Sequence, residues 1–174
     1  CFIGGMVDNP VERITVRDLD LTVRGGENNH EPAEDFTGNP EWTFRSMGVP
    51  CAMCVAEARD VYLQNVRVRW EEVSGPWRHA VFARRVDGLR LVGLDLFGPS
   101  GHGSSAEAAV RCTACRGVSL RGCSSDDGWD RFVEVAESPE RSTVRLIGND
   151  FSRVAAPVVS DAAVMEAGNL VRSD

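Results

Sequence analysis

Lysine is absent from these 174 residues, and all 19 basic side chains are arginine. Base composition of the source genome accounts for that more simply than function does. Basic residues are also outnumbered: 26 acidic against 19 basic side chains leave a formal charge of −7. Such a balance argues against nucleic acid or an anionic membrane surface as a partner. No apolar run approaches the roughly 20 residues that a membrane-spanning helix needs. The chain has no initial Met, signal peptide or transit segment, and Phe2-Ile3 reads as the middle of a strand. A fragment, or a mature or trimmed chain, is therefore expected.

An eight-residue phrase is present repeatedly. It runs apolar-x-apolar-x, then Asp, Asn or Gly, then usually apolar-x-apolar, at Ile14–Leu21, Val61–Val68, Leu89–Leu96, Val118–Ser125 and Val144–Phe151. The later lead residues step from 61 to 89, 89 to 118 and 118 to 144, that is by 28, 29 and 26. Periods of that size mark a repeat array.

Aligned on the phrase, the copies form columns. Ile14, Val61, Leu89, Val118 and Val144 make the first, and Val16, Leu63, Leu91, Leu120 and Leu146 the second. Mostly polar residues separate them (Thr15, Tyr62, Arg90, Ser119, Arg145), and such alternation means a strand with one buried face. The fifth position holds Asp18, Asn65, Gly93, Gly122 and Gly148, the residue types that best tolerate positive φ. A strand, a one-residue corner and a second strand per repeat describe one coil of a parallel β-helix. Each coil stacks its apolar side chains on the next, at roughly 1.5–3 kcal/mol per buried side chain.

One domain is expected over residues 1–174. Ile14 to Val61 spans 47 residues, and the excess over one coil falls in Gly25–Pro50. That stretch, rich in Gly, Asn, Pro and Glu, reads as an inserted loop. It either carries binding function or packs on the outside of the helix. Residues 51–154 are the regular coils. Residues 155–174 lose the phrase and read as a tail or cap, with Val158-Val159 and Ala162–Val164 available for a last partial strand.

Several residues carry potential chemistry. Cys51-Ala-Met-Cys54 and Cys112-Thr-Ala-Cys115 suggest a zinc ribbon, but 57 residues separate the pairs where ribbons have about 15–20. Small core side chains or free thiols are the favoured reading, and no metal or cofactor is assigned. Gly101-His102-Gly103 is a loop histidine. Asp126-Asp127 is either a carboxylate pair for acid/base work or ordinary turn chemistry, and the turn is favoured. Glu27, Glu31, Glu34 and Asp35 lack a calcium-ligand spacing. Trp42, Trp70, Trp77 and Trp129 fall in loops or at strand ends. Trp42 and Trp77, with Arg45 and Arg78 beside them, form the candidate substrate-binding set: indoles stack on sugar rings, and guanidinium forks take carboxylates. The alternative is that each Trp packs a loop onto the helix wall.

Gly5–Ile14 with Val16-Arg17-Asp18-Leu19 and Gly25-Gly26, then Val49-Pro50-Cys51, Ala58–Val61, Asn65-Val66, Ala80-Val81, Asp87-Gly88-Leu89, Phe132–Val135 and Ile147–Asp150, resemble in order the later coils of bacterial glycoside hydrolase family 28 proteins, the polygalacturonase-like pectinases. The resemblance covers most of the chain and rests on structural motifs. It implies an all-β, right-handed parallel β-helix of the pectin-lyase-like kind, truncated at its N-terminal end. It also implies inverting hydrolysis of galacturonan or rhamnogalacturonan, an acidic plant-type polysaccharide as partner, and a secreted or periplasmic location. The family's catalytic order is Asn-Thr-Asp, Asp-Asp, Gly-His-Gly, Arg-x-Lys. This chain has no Asn-Thr-Asp and no Lys, and its Gly101-His102-Gly103 precedes Asp126-Asp127, so no catalytic residue is carried over. The catalytic aspartates are expected on coils upstream of Cys1, the missing N-terminal part of the same protein. A non-catalytic β-helix for polysaccharide binding or structural capping is the alternative.

Overall fold

The structure is a computed structural model that describes residues 1–25, 51–73, 77–99, 107–126 and 128–171. Among them, every pair of strands is parallel. The chain is a parallel β-solenoid.

Its strands are β1 (Phe2–Gly4), β2 (Val11–Gly25), β3 (Cys51–Val73), β4 (His79–Val92), β5 (Asp95–Leu96), β6 (Ala108–Thr113), β7 (Val118–Arg121), β8 (Ser124–Ser125), β9 (Arg131–Ala136), β10 (Thr143–Ile147), β11 (Asp150–Phe151), β12 (Ala156–Ser160), β13 (Ala163–Ala167) and β14 (Leu170–Val171). They lie on three faces. The leading face stacks β1, the start of β3, the start of β4, β6, β9 and β12. The second face carries the first half of the phrase, and the third face the second half.

Register follows the sequence columns. Ile14 pairs with Val61 and Val61 with Leu89; Leu91 pairs with Leu120 and Leu120 with Leu146. Val61, Leu63, Leu89, Leu91, Val118, Leu120, Val144 and Leu146 are all buried. The corner between second and third faces has positive φ at each copy: Asp18 (53°), Asn65 (52°), Gly93 (63°), Gly122 (61°) and Gly148 (62°).

Two features were not legible in the phrase. The corner between the leading and second faces also turns through positive φ, at Glu57, Arg85 and Ala114 and again at Asp60, Gly88 and Gly117. Its first column has no glycine, so composition gives no warning of it. The second is that stacking continues past residue 155. β12, β13 and β14 lie in register on β9, β10 and β11, and Gly168 (φ 63°) repeats the corner of Gly148. The repeat is hard to read there because Glu166 takes the place of Leu146 in the second column and Leu170 follows the corner asparagine.

A side-chain ladder reinforces the lower coils. Buried Asn149 donates from Nδ2 to the Leu120 carbonyl (3.2 Å) and to Asn169 Oδ1 (3.0 Å), and accepts from the Cys123 amide (2.9 Å). Asn169 in turn donates to the Leu146 carbonyl (3.2 Å). The amide side chains thus satisfy backbone groups that the tight corner leaves unpaired within their own coil.

Candidate functional site

The leading face differs from the other two in being buried on both sides. Met53, Val55, Val81, Ala83, Val110, Cys112, Val133 and Val135 fill the interior. On the opposite side, Cys51, Cys54, Ala56 and Phe82 form a second, smaller apolar cluster with Phe2. Alternation within each strand sends neighbouring residues to opposite sides, so a charged row can lie beside this outer cluster without entering the core.

That row is Phe82, Arg111 and Glu134, in register on β4, β6 and β9. Adjacent strands are about 4.8 Å apart, so the three side chains stand next to one another. Arg111 pairs with Glu134, and Arg131 Nη1 donates to Glu134 Oε2 at 2.7 Å. Burial alone would raise the Glu134 carboxyl, but hydrogen bonds from Arg131 and Arg111 outweigh it and hold the group below the ordinary carboxylate range.

His79 begins β4 beside this row and stacks on Phe82 with ring centroids 6.0 Å apart. It is 1% exposed. Nδ1 lies 3.1 Å from the Ala108 carbonyl, which can only accept, so Nδ1 carries the proton. Burial, with the charges of Arg111 and Arg78, lowers the imidazole pKa to about 4. The ring is then neutral at ordinary pH, and Nε2 presents a bare lone pair. Arg78 Nε lies 3.5 Å from Glu107 Oε1 at the edge of the cluster, where both side chains are about a third exposed.

Of the four sequence-derived binding candidates, Arg78 borders this cluster and Trp77 packs on Trp70 instead, whereas Trp42 and Arg45 fall outside the described residues. Trp77 meets Trp70 with centroids 5.1 Å apart, and Trp70 meets Trp129 at 6.3 Å. Trp70 Nε1 donates to the Phe97 carbonyl (2.7 Å), and Trp129 Nε1 to the Leu96 carbonyl (3.0 Å). These two indoles therefore pin loop ends to the helix wall. Sequence reasoning missed His79, Arg111, Arg131 and Glu134. The available signal was charge at alternate positions of β6 and β9 (Arg111, Glu134), strands otherwise reading as core.

The remaining candidates resolve as follows. Asp126 Oδ1 accepts from the amides of Gly98 (2.7 Å) and Gly128 (3.2 Å), which is turn chemistry. Asp127, Gly101-His102-Gly103 and the acidic group at Glu27–Asp35 lie outside the described residues. All six cysteines are free thiols. Cys51 and Cys54 belong to the outer cluster, while Cys112 and Cys115 belong to the interior, so the two pairs face opposite sides of one sheet and cannot share an ion. The second pair sits at the end of β6 and just beyond it, with Ala114 turning the corner between them.

Comparison with protein-family models, curated proteins and solved structures gives no match for this chain.

Proposed function

We propose that this β-solenoid is part of a glycoside hydrolase of the family 28 kind, acting on an acidic, pectin-type polysaccharide. Its own role is to hold the polymer, with the catalytic aspartates supplied by other coils. The observation that carries this reading is the gathering of Arg78, Arg111 and Arg131 on the outer leading face. Guanidinium groups suit the carboxylates of a polyuronate.

The same geometry is wrong for acid/base chemistry. Inverting hydrolysis requires one protonated and one ionised carboxyl about 6.5–9.5 Å apart. Glu134 is held ionised by two arginines, Glu107 faces Arg78, and Asp126 is occupied by two backbone amides. A capping role is the second reading. The coil of β13 favours it, because Glu166 stands in an inner column that is Leu in the four copies before it, Leu63, Leu91, Leu120 and Leu146.

Affinity electrophoresis or calorimetry with polygalacturonate, paired with a reducing-end assay, tests the proposal. Binding that weakens with added salt, without reducing-end release, is expected. Release of reducing ends by this chain, or equal affinity for a neutral galactan, would overturn it.

A further inference from the structure

The two Cys-x-x-Cys pairs share a spacing but not a geometry. Cys51 and Cys54 lie inside β3, where three steps of extended chain set their Cα atoms roughly 10 Å apart. Their thiols interact, but a disulfide needs Cα atoms within about 7 Å, so a bridge there would have to bend the strand. Cys112 and Cys115 instead straddle a corner. Thr113 is the last residue of β6, and Ala114 then turns the chain with φ 54°. An extended residue followed by a left-handed one is the pattern of a type II turn, whose end residues lie within about 7 Å of each other.

The side chains follow the backbone. Both cysteines belong to the interior, at 0% and 1% exposure. Cys115 Sγ lies 3.4 Å from the Thr113 carbonyl and 3.5 Å from the Ala83 carbonyl. Thr113 follows Cys112 in the chain, and Ala83 is its register partner on β4. The Cys115 sulfur therefore folds back to the level of Cys112. A hydrogen bond between the two thiols is the chief cause that raises the pKa of Cys112 and lowers that of Cys115, so the sulfurs are in contact. Cys123 has no such neighbour; its sulfur rests 3.6 Å from the carbonyls of Leu91 and Arg121.

We infer that Cys112 and Cys115 are a disulfide-forming pair, closing across the corner as the chain folds in the presence of a low-molecular-weight disulfide. The inference is independent of the polysaccharide reading. One cysteine thiolate attacks the small disulfide and expels a thiolate, which takes a proton from water. The other cysteine then loses its proton and attacks the mixed disulfide at the protein sulfur, expelling the second thiolate. The two protein sulfurs give up two electrons in all, and the small disulfide is reduced to two thiols. Both sulfurs are sealed in the finished coil, so this exchange belongs to folding. The bridge holds the left-handed Ala114 in place and ties β6 on the leading face to the approach to β7 on the second.

Arg111 and Arg116 bracket the pair, so trypsin releases residues 112–116 as one peptide, with Cys51 and Cys54 in 46–59 and Cys123 in 122–131. The test refolds the reduced whole chain with oxidised and reduced glutathione, then caps free thiols with a maleimide under denaturing conditions. Peptide 112–116 is expected without label and lighter by two hydrogen atoms, while 46–59 carries a label on each cysteine. The oxidised chain is expected to melt about 4 °C above the same chain kept in dithiothreitol. Cys115→Ala is expected to leave Cys112 labelled and to make the two melting temperatures equal. Label on Cys112 or Cys115 in the refolded parent overturns the inference. So does a bridge from either to another cysteine, closure of 46–59 in place of 112–116, or equal melting of the two parent forms.

Discussion

His79 shows how one residue couples the fold to solution conditions. Its imidazole titrates near 6.5 in the unfolded chain and near 4 in the folded one, chiefly because burial disfavours the charged ring. Arg111 and Arg78 press the pKa in the same direction, and the Ala108 carbonyl and Glu134 oppose them. Between those values the unfolded chain binds one proton more than the folded chain. Stability is therefore fully present above about pH 6.5 and falls as the pH drops toward 4, by about 3 kcal/mol in all. Urea denaturation at pH 7.5, 5.5 and 4 should show this loss, and His79→Asn should flatten that part of the profile. Glu134 loses its contribution at lower pH, because its depressed carboxyl protonates only on further acidification. None of this was legible in the sequence. A lone histidine after Trp77-Arg78 carries no signal of its burial until β6 and β9 are laid beside it.

The strand and its corner were the legible units, because alternation and positive φ act within a few residues. Leu120 lies buried between Leu91 and Leu146, whereas Ser119 lies on the outer side between Arg90 and Arg145. Leu120→Asp places an unpaired charge in the core and should abolish cooperative unfolding. Ser119→Asp meets two arginines and should change stability by less than about 0.5 kcal/mol. Thermal melts of both variants distinguish the two sides of the strand. Corners differ among themselves in the same way. A Cβ at Gly148 meets nothing within 4 Å, so Gly148→Ala should cost about 1–2 kcal/mol through its φ of 62° alone. A Cβ at Gly98 would lie 2.4 Å from the Gly128 backbone, where two loops cross. Gly98→Ala should therefore be the more damaging by calorimetry, despite its ordinary φ. The sequence marked Gly148 as a corner and gave no sign of the constraint at Gly98. The Gly98 constraint is a contact across coils that no local pattern records.

At the scale of the molecule, the solenoid is a set of stacked columns. The second inner column is apolar through Leu146 and then meets Glu166, the first continues from Val144 to Val164, and Met165, Leu170 and Val171 of the same coil are exposed. The phrase revealed the stack because each coil buries its apolar residues against the next, which constrains the same position in every copy. Where that constraint lapses, after residue 155, the pattern fades although the backbone continues in register. The outer leading face was hidden for a related reason. Arg111 and Glu134 occupy alternate positions that the phrase does not cover, and their pairing depends on two strands 23 residues apart in the chain. Stacking of successive coils underlies the columns, the corners and the outer cluster alike. Methyl–methyl nuclear Overhauser effects in labelled protein test it most directly. Leu89 should show cross-peaks to the methyls of both Val61 and Val118, and Val118 to Val144, while Val61 and Val118, two strands apart, should show none. Absence of the Leu89 cross-peaks, or a Val61 to Val118 contact in their place, would contradict the account.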